Sequence, residues 1–135
     1  MLQGSMFIPF LIGLCITLAL IGISSAIGLD REKGVYPTTL IAIALFYVVF
    51  AVEHRDSSQI IFNIIIASLF MGLAIIGYVK GLWLIALGLI LHGLFDATYL
   101  VLGASPAPEW WGPLCLAVDI VLGAFLLFLI TKKKI

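Results

Sequence analysis

Long apolar runs alternate with short polar stretches along this chain. Five of the runs fall near positions 6–28, 35–52, 59–79, 82–103 and 113–130. A helix needs about 20 mostly apolar residues to cross the hydrocarbon core, with a range of roughly 17–25. Every run meets or approaches that length. The runs are continuous, whereas the strands of a transmembrane barrel alternate apolar and polar positions. The pattern therefore predicts an all-α integral membrane bundle of five transmembrane helices, one domain spanning residues 1–135.

Composition narrows the class further. The chain is 64% hydrophobic and 10% charged, against about 45–50% and about 25% in water-soluble domains. A soluble fold this apolar would have no polar residues left for its surface. The formal net charge is zero, so nucleic acid is not an expected partner. The expected partner is the lipid bilayer. Cys15 and Cys115 lie inside apolar runs, where they read as small packing residues rather than a disulfide framework. No basic stretch precedes the first apolar run, which reads as a retained span rather than a signal peptide.

Charge placement predicts orientation. With the C-terminus inside, the inner segments carry six basic residues, Arg31, Lys33, Lys80, Lys132, Lys133 and Lys134, and the outer ones only Arg55. Positive residues favour the cytoplasmic side. The N-terminus is thus expected outside, and the protein is expected to be a multi-pass component of a bacterial inner membrane. The outer loops are then Glu53–Ser58 and Ala104–Gly112. In the second loop Trp110 and Trp111 read as headgroup-level anchors. Glu53 and His54 read as a solvated helix end.

Three ionisable residues fall inside the spans: His92 and Asp96 in the fourth, Asp119 in the fifth. Such residues are costly in hydrocarbon and are functional candidates by default. At about 100° per residue, His92, Asp96 and Tyr99 share one helix face, with Gly88 and Gly103 on the same stripe. Cys115, Asp119 and Gly123 form a similar face in the next span. Small residues let a neighbouring helix come close, so both faces are expected to point into the bundle. The glycines at 72, 77, 88 and 103 are expected to mark close contacts.

Helix rise puts Asp96 about 10 Å and Asp119 about 9 Å below the outer ends of their antiparallel spans. The carboxyls are therefore expected to face one another, with His92 paired to Asp96 one turn away. Tyr47 and Asn63 are expected at similar depth. Together His92, Asp96, Tyr99, Asp119, Tyr47 and Asn63 make a candidate outward-facing ligand site. Burial disfavours charged carboxyls, and two adjacent ones do not readily ionise together. Such a group suits a proton, a cation or a small lipophilic ligand. Acid/base catalysis of an isomerase or cyclase type by Asp96 and Asp119 with His92 is the enzymatic alternative. A polar face that binds a partner helix in a larger membrane complex is a third reading.

Polar side chains also act as plain interhelical contacts, each worth about 0.6 kcal/mol on average. Thr17, Ser24, Ser25, Ser68 and Asn63 fit that role. A metal is not expected, because zinc wants three or four protein ligands and the sequence does not bring Asp119, Cys115 or Glu109 to His92. No phosphate loop, paired-cysteine motif or nucleophile elbow occurs, so no cofactor is expected. A five-helix chain already buries many of its faces, yet self-association is still allowed.

The stretch His92-Gly-Leu-Phe-Asp96, followed by Trp110, Trp111, Pro113, Cys115 and Asp119, resembles a family of small bacterial multi-helix membrane proteins that has no assigned activity. The resemblance covers the last third of the chain and, loosely, the loop at 31–37. It implies a site at these residues without implying a reaction. Relatives carry further histidines just after the aspartate. This chain has Thr98 and Tyr99 there, which again speaks against a metal.

Overall fold

The computed structural model describes residues 2–103 and 105–135, with side chains from residue 7 onward. Five helices follow one another: α1 (Leu2–Ile27), α2 (Val35–Glu53), α3 (Ser57–Lys80), α4 (Trp83–Leu102) and α5 (Trp111–Thr131). All five are long and apolar enough to cross a membrane. No strand occurs among the described residues. The protein is a multi-pass helical membrane protein.

The polar punctuation sets the helix ends. Asp56, in extended conformation, caps α3: its carboxylate accepts from the Gln59 amide at 3.3 Å and the Ser58 hydroxyl at 2.9 Å. The Ser58 bond and then the Gln59 bond hold this carboxyl below its usual range. Gly103 closes α4 in the left-handed region, with φ 70° and its N–H on the Tyr99 carbonyl at 2.7 Å. Pro113 sits in the first turn of α5, where a missing N–H costs no intrahelical bond. Helix α5 thereby starts two residues before the predicted span.

Packing is most extensive between α4 and α5, then between α2 and α3 and between α1 and α5. Leu40 of α2, Ile85 and Leu89 of α4 and Leu126 of α5 are fully buried in one core. Large apolar side chains such as Leu69 and Val101 face outward, 66% and 85% exposed. In a bilayer that exposure is solvation by lipid.

Glycine placement departs from expectation at two of four positions. A Cβ at Gly77 would lie 2.5 Å from Ile85 Cγ1, and one at Gly88 would lie 2.7 Å from Leu40 Cδ2. Nothing lies within 4 Å of such an atom at Gly72 or Gly103. Gly72 has no neighbouring helix opposite it, and Gly103 serves as a cap. The tightest backbone approach is at Gly13, whose added Cβ would meet the Leu114 carbonyl oxygen at 2.5 Å. A helical carbonyl cannot swing aside as a side chain can. Gly13→Ala is therefore expected to separate α1 from α5 and cost about 1–3 kcal/mol. Gly72→Ala should stay within about 0.5 kcal/mol of wild type. Thermal unfolding in detergent compares the two, and equal effects would refute the α1–α5 contact.

Candidate functional site

The α4–α5 crossing builds the site. Two glycines allow it: a Cβ at Gly93 would meet Ile120 Cδ1 at 2.8 Å, and one at Gly123 would meet Ile90 Cγ1 at 2.7 Å and the Ala86 carbonyl at 3.2 Å. Gly93 follows His92 directly in sequence. This close approach brings the imidazole of α4 against the carboxyl of α5. His92, Asp96 and Asp119 are 1%, 0% and 0% exposed.

His92 Nδ1 lies 2.9 Å from Asp119 Oδ2 and 3.7 Å from Asp96 Oδ1. The expected His92–Asp96 pair is present at ion-pair distance, and Asp119 adds a closer, hydrogen-bonded partner that the sequence did not assign to the imidazole. Side chains at i and i+4 project in parallel from one helix, so the ring and the Asp96 carboxyl stand side by side. The facing helix presents Asp119 head-on. Asp96 instead accepts the Tyr47 hydroxyl at 2.7 Å. Three helices thus meet at one polar point.

Two oxygens stand out. Asp96 Oδ2 and Asp119 Oδ1 are buried and accept from no N–H or O–H of the described residues. The two carboxyls and the imidazole each place an atom within 4.8 Å of the others. The rings of Phe70, Phe95 and Tyr47 surround the imidazole, with centroids at 4.8, 5.7 and 6.0 Å. They lower the local dielectric and strengthen every polar contact inside.

A second polar group adjoins the first. The Tyr99 hydroxyl donates to Asn63 Oδ1 at 3.2 Å and to Gln59 Oε1 at 3.4 Å. Asn63 Nδ2 in turn donates to the Gln59 carbonyl at 2.8 Å and its Oε1 at 3.1 Å. The Tyr99 ring lies 4.9 Å from that of Tyr47. All six candidate residues therefore come together, in two hydrogen-bonded sets joined by a ring contact. Gln59 was not among them in the sequence reading. Its place in the first turn of α3, four residues before Asn63, is the pattern that could have marked it.

Other polar residues fall elsewhere. The hydroxyls of Thr17 and Ser68 turn back to the Gly13 and Ile64 carbonyls of their own helices at 2.7 and 2.8 Å. They are not interhelical contacts. His54 lies at the exposed end of α2, Nδ1 3.0 Å from the Phe50 carbonyl. Trp110 is half-exposed, but Trp111 packs on Phe46 and Phe50 of α2 at 4.9 and 5.0 Å. Trp111 thus ties the start of α5 to α2.

The sequence does not predict a third ligand at His92. Asp119 does reach it, and His92, Asp96 and Asp119 each offer a ligand atom within 4.8 Å of the others. His92 Nδ1 is the ring nitrogen bonded to Asp119.

No known family, curated protein or solved structure matches this chain. The functional reading therefore rests on the geometry.

Proposed function

We propose that this protein binds and relays a proton at the buried His92–Asp96–Asp119 group, which faces the outer side of the membrane. One observation carries the reading: two fully buried carboxyls, each with one oxygen lacking a donor, cluster within 4.8 Å of a buried imidazole. A proton on a carboxyl gives such an oxygen its own O–H and needs no room. Three titratable groups this close take up and release protons as one unit. Tyr99, Asn63 and Gln59 continue the polar lining toward the α2–α3 and α4–α5 connections, which charge placement puts outside.

The other readings need space or a partner. A lipophilic ligand or an enzyme substrate needs a cavity beside both carboxyls, where Tyr47, Phe70 and Phe95 already pack around His92. An accessory subunit would turn its polar face to another chain, yet this face is turned to α2 and α5.

Infrared difference spectra between acid and neutral pH test the proposal. Wild type should show a protonated-carboxyl band that Asp96→Asn or Asp119→Asn removes. A band unmoved by either substitution would refute it. A band abolished by added sodium or calcium at constant pH would reassign the group to a cation.

A further inference from the structure

A third buried carboxyl lies at the opposite end of the bundle. Asp30 sits in the short 3-10 turn Leu29–Arg31 between α1 and α2, and is only 8% exposed. The turn follows Gly28, whose φ of 83° reverses the chain. Ser25 donates to Asp30 Oδ2 at 2.9 Å, and Tyr36 donates to its main-chain carbonyl at 2.5 Å. These bonds fix the residue. Its other oxygen, Oδ1, has no partner among the described residues.

Asp30 lines a cavity of about 60 Å³ between α1, α2, α4 and α5. That space suits about two waters, at about 30 Å³ each in the liquid. Tyr36 and Thr39 also line it, and each spends its hydroxyl proton elsewhere, on the carbonyls of Asp30 and Val35. Leu89 of α4 and Leu122 of α5 line it as well. Each stands three residues from a member of the buried group, Leu89 from His92 and Leu122 from Asp119. Three residues of helix rise is about 4.5 Å. Two residues lining the cavity therefore stand about one helical turn from the His92–Asp119 pair, on the side away from Gln59.

We propose that Asp30 and this cavity are the second mouth of the proton path, so that the protein conducts protons between the two membrane faces. The inference rests on the proton reading of the His92 group and extends it. A hydronium at the Asp30 face breaks an O–H bond to give its proton to the Asp30 carboxylate. The new O–H bond breaks in turn as water in the cavity takes the proton, which restores the carboxylate. A new bond then forms at the His92–Asp96–Asp119 group, which passes its own proton toward Tyr99 and Gln59. No electrons move, and the imposed proton gradient supplies the direction. Leu89 and Leu122 are the apolar gap that water must bridge. The titratable groups around Asp30 are Tyr36 within the cavity and Arg31, Glu32 and Lys33 along the adjoining chain. No basic side chain among the described residues forms an ion pair with Asp30, so its carboxylate is not neutralised by a fixed partner.

The full chain in liposomes, with a trapped pH dye and a potassium diffusion potential, tests this. Wild type should carry protons faster than protein-free vesicles. Asp30→Asn should slow the flux by about 10²-fold, the low end of what a positioned proton-transferring side chain supplies. Ser24 also lines the cavity, and Ser24→Leu fills it without removing a carboxyl. It should slow the flux as well, deciding the matter where Asp30→Asn does not fold. Wild-type flux no faster than in empty vesicles overturns the proposal, and so does wild-type flux in the folded variants. The protonated-carboxyl band, recorded on the same samples, separates the two claims: a band without flux leaves the His92 group a proton site and removes only the path.

Discussion

Asp119→Ala is expected to destabilise the bundle by about 3–5 kcal/mol, the cost of stripping one partner from a buried ion or hydrogen-bonded pair. His92 would keep its ring between α4 and α5 with its 2.9 Å partner gone. Asp96→Ala should cost less. It leaves the His92–Asp119 bond intact and orphans the Tyr47 hydroxyl, a neutral donor whose lost bond is worth about 1–3 kcal/mol. The double variant His92→Phe with Asp119→Leu should recover much of the single-variant loss, because apolar residues of similar volume often replace a buried pair at no cost. Unfolding in detergent, read as a double-mutant cycle, supplies the numbers. The cycle should show coupling between 92 and 119 of at least about 1 kcal/mol. Additive single effects would mean that the two side chains are neighbours without being partners.

The order of those losses was not legible in the sequence. Periodicity gave His92, Asp96 and Tyr99 a common face, and that face is buried. Counting residues brought Asp96 and Asp119 to similar depth, and both carboxyls do join one buried cluster with His92. Which carboxyl receives the imidazole depends on how α4 and α5 cross, and that is fixed by Gly93 and Gly123 against the opposing chain. No local pattern records such a contact. The same limit explains Gly72 and Gly13. A glycine in an apolar run looks alike whether lipid or a neighbouring carbonyl lies opposite. Asp30 was harder still. It stands in the charged stretch Asp30-Arg31-Glu32-Lys33, which reads as a solvated loop. The left-handed Gly28 turns the chain so that this one acidic side chain tucks under the bundle while Arg31, Glu32 and Lys33 remain exposed.

Orientation has an all-or-none expected readout. Glu109 is exposed in the α4–α5 connection, and Lys80 is exposed at the end of α3. A cysteine at Glu109 should react with an impermeant thiol reagent added to intact cells. One at Lys80 should react only after the membrane is opened. The parent chain should remain unlabelled, since Cys115 is buried and Cys15 lies within the apolar span of α1. The charge argument carries real energy. A basic residue near an anionic cytoplasmic surface gains about 1 kcal/mol, and six such residues lie at one end of the bundle against Arg55 at the other. Losing Lys80 to the test cysteine leaves that bias in place. The result also fixes which compartment each buried carboxyl serves. Labelling at Glu109 from outside places the Gln59–Asn63–Tyr99 lining toward the exterior and Asp30 toward the cytoplasm. The reverse pattern would exchange the two mouths and refute an outward-facing His92 group, while leaving its hydrogen bonds to Asp119 and its neighbours as they stand.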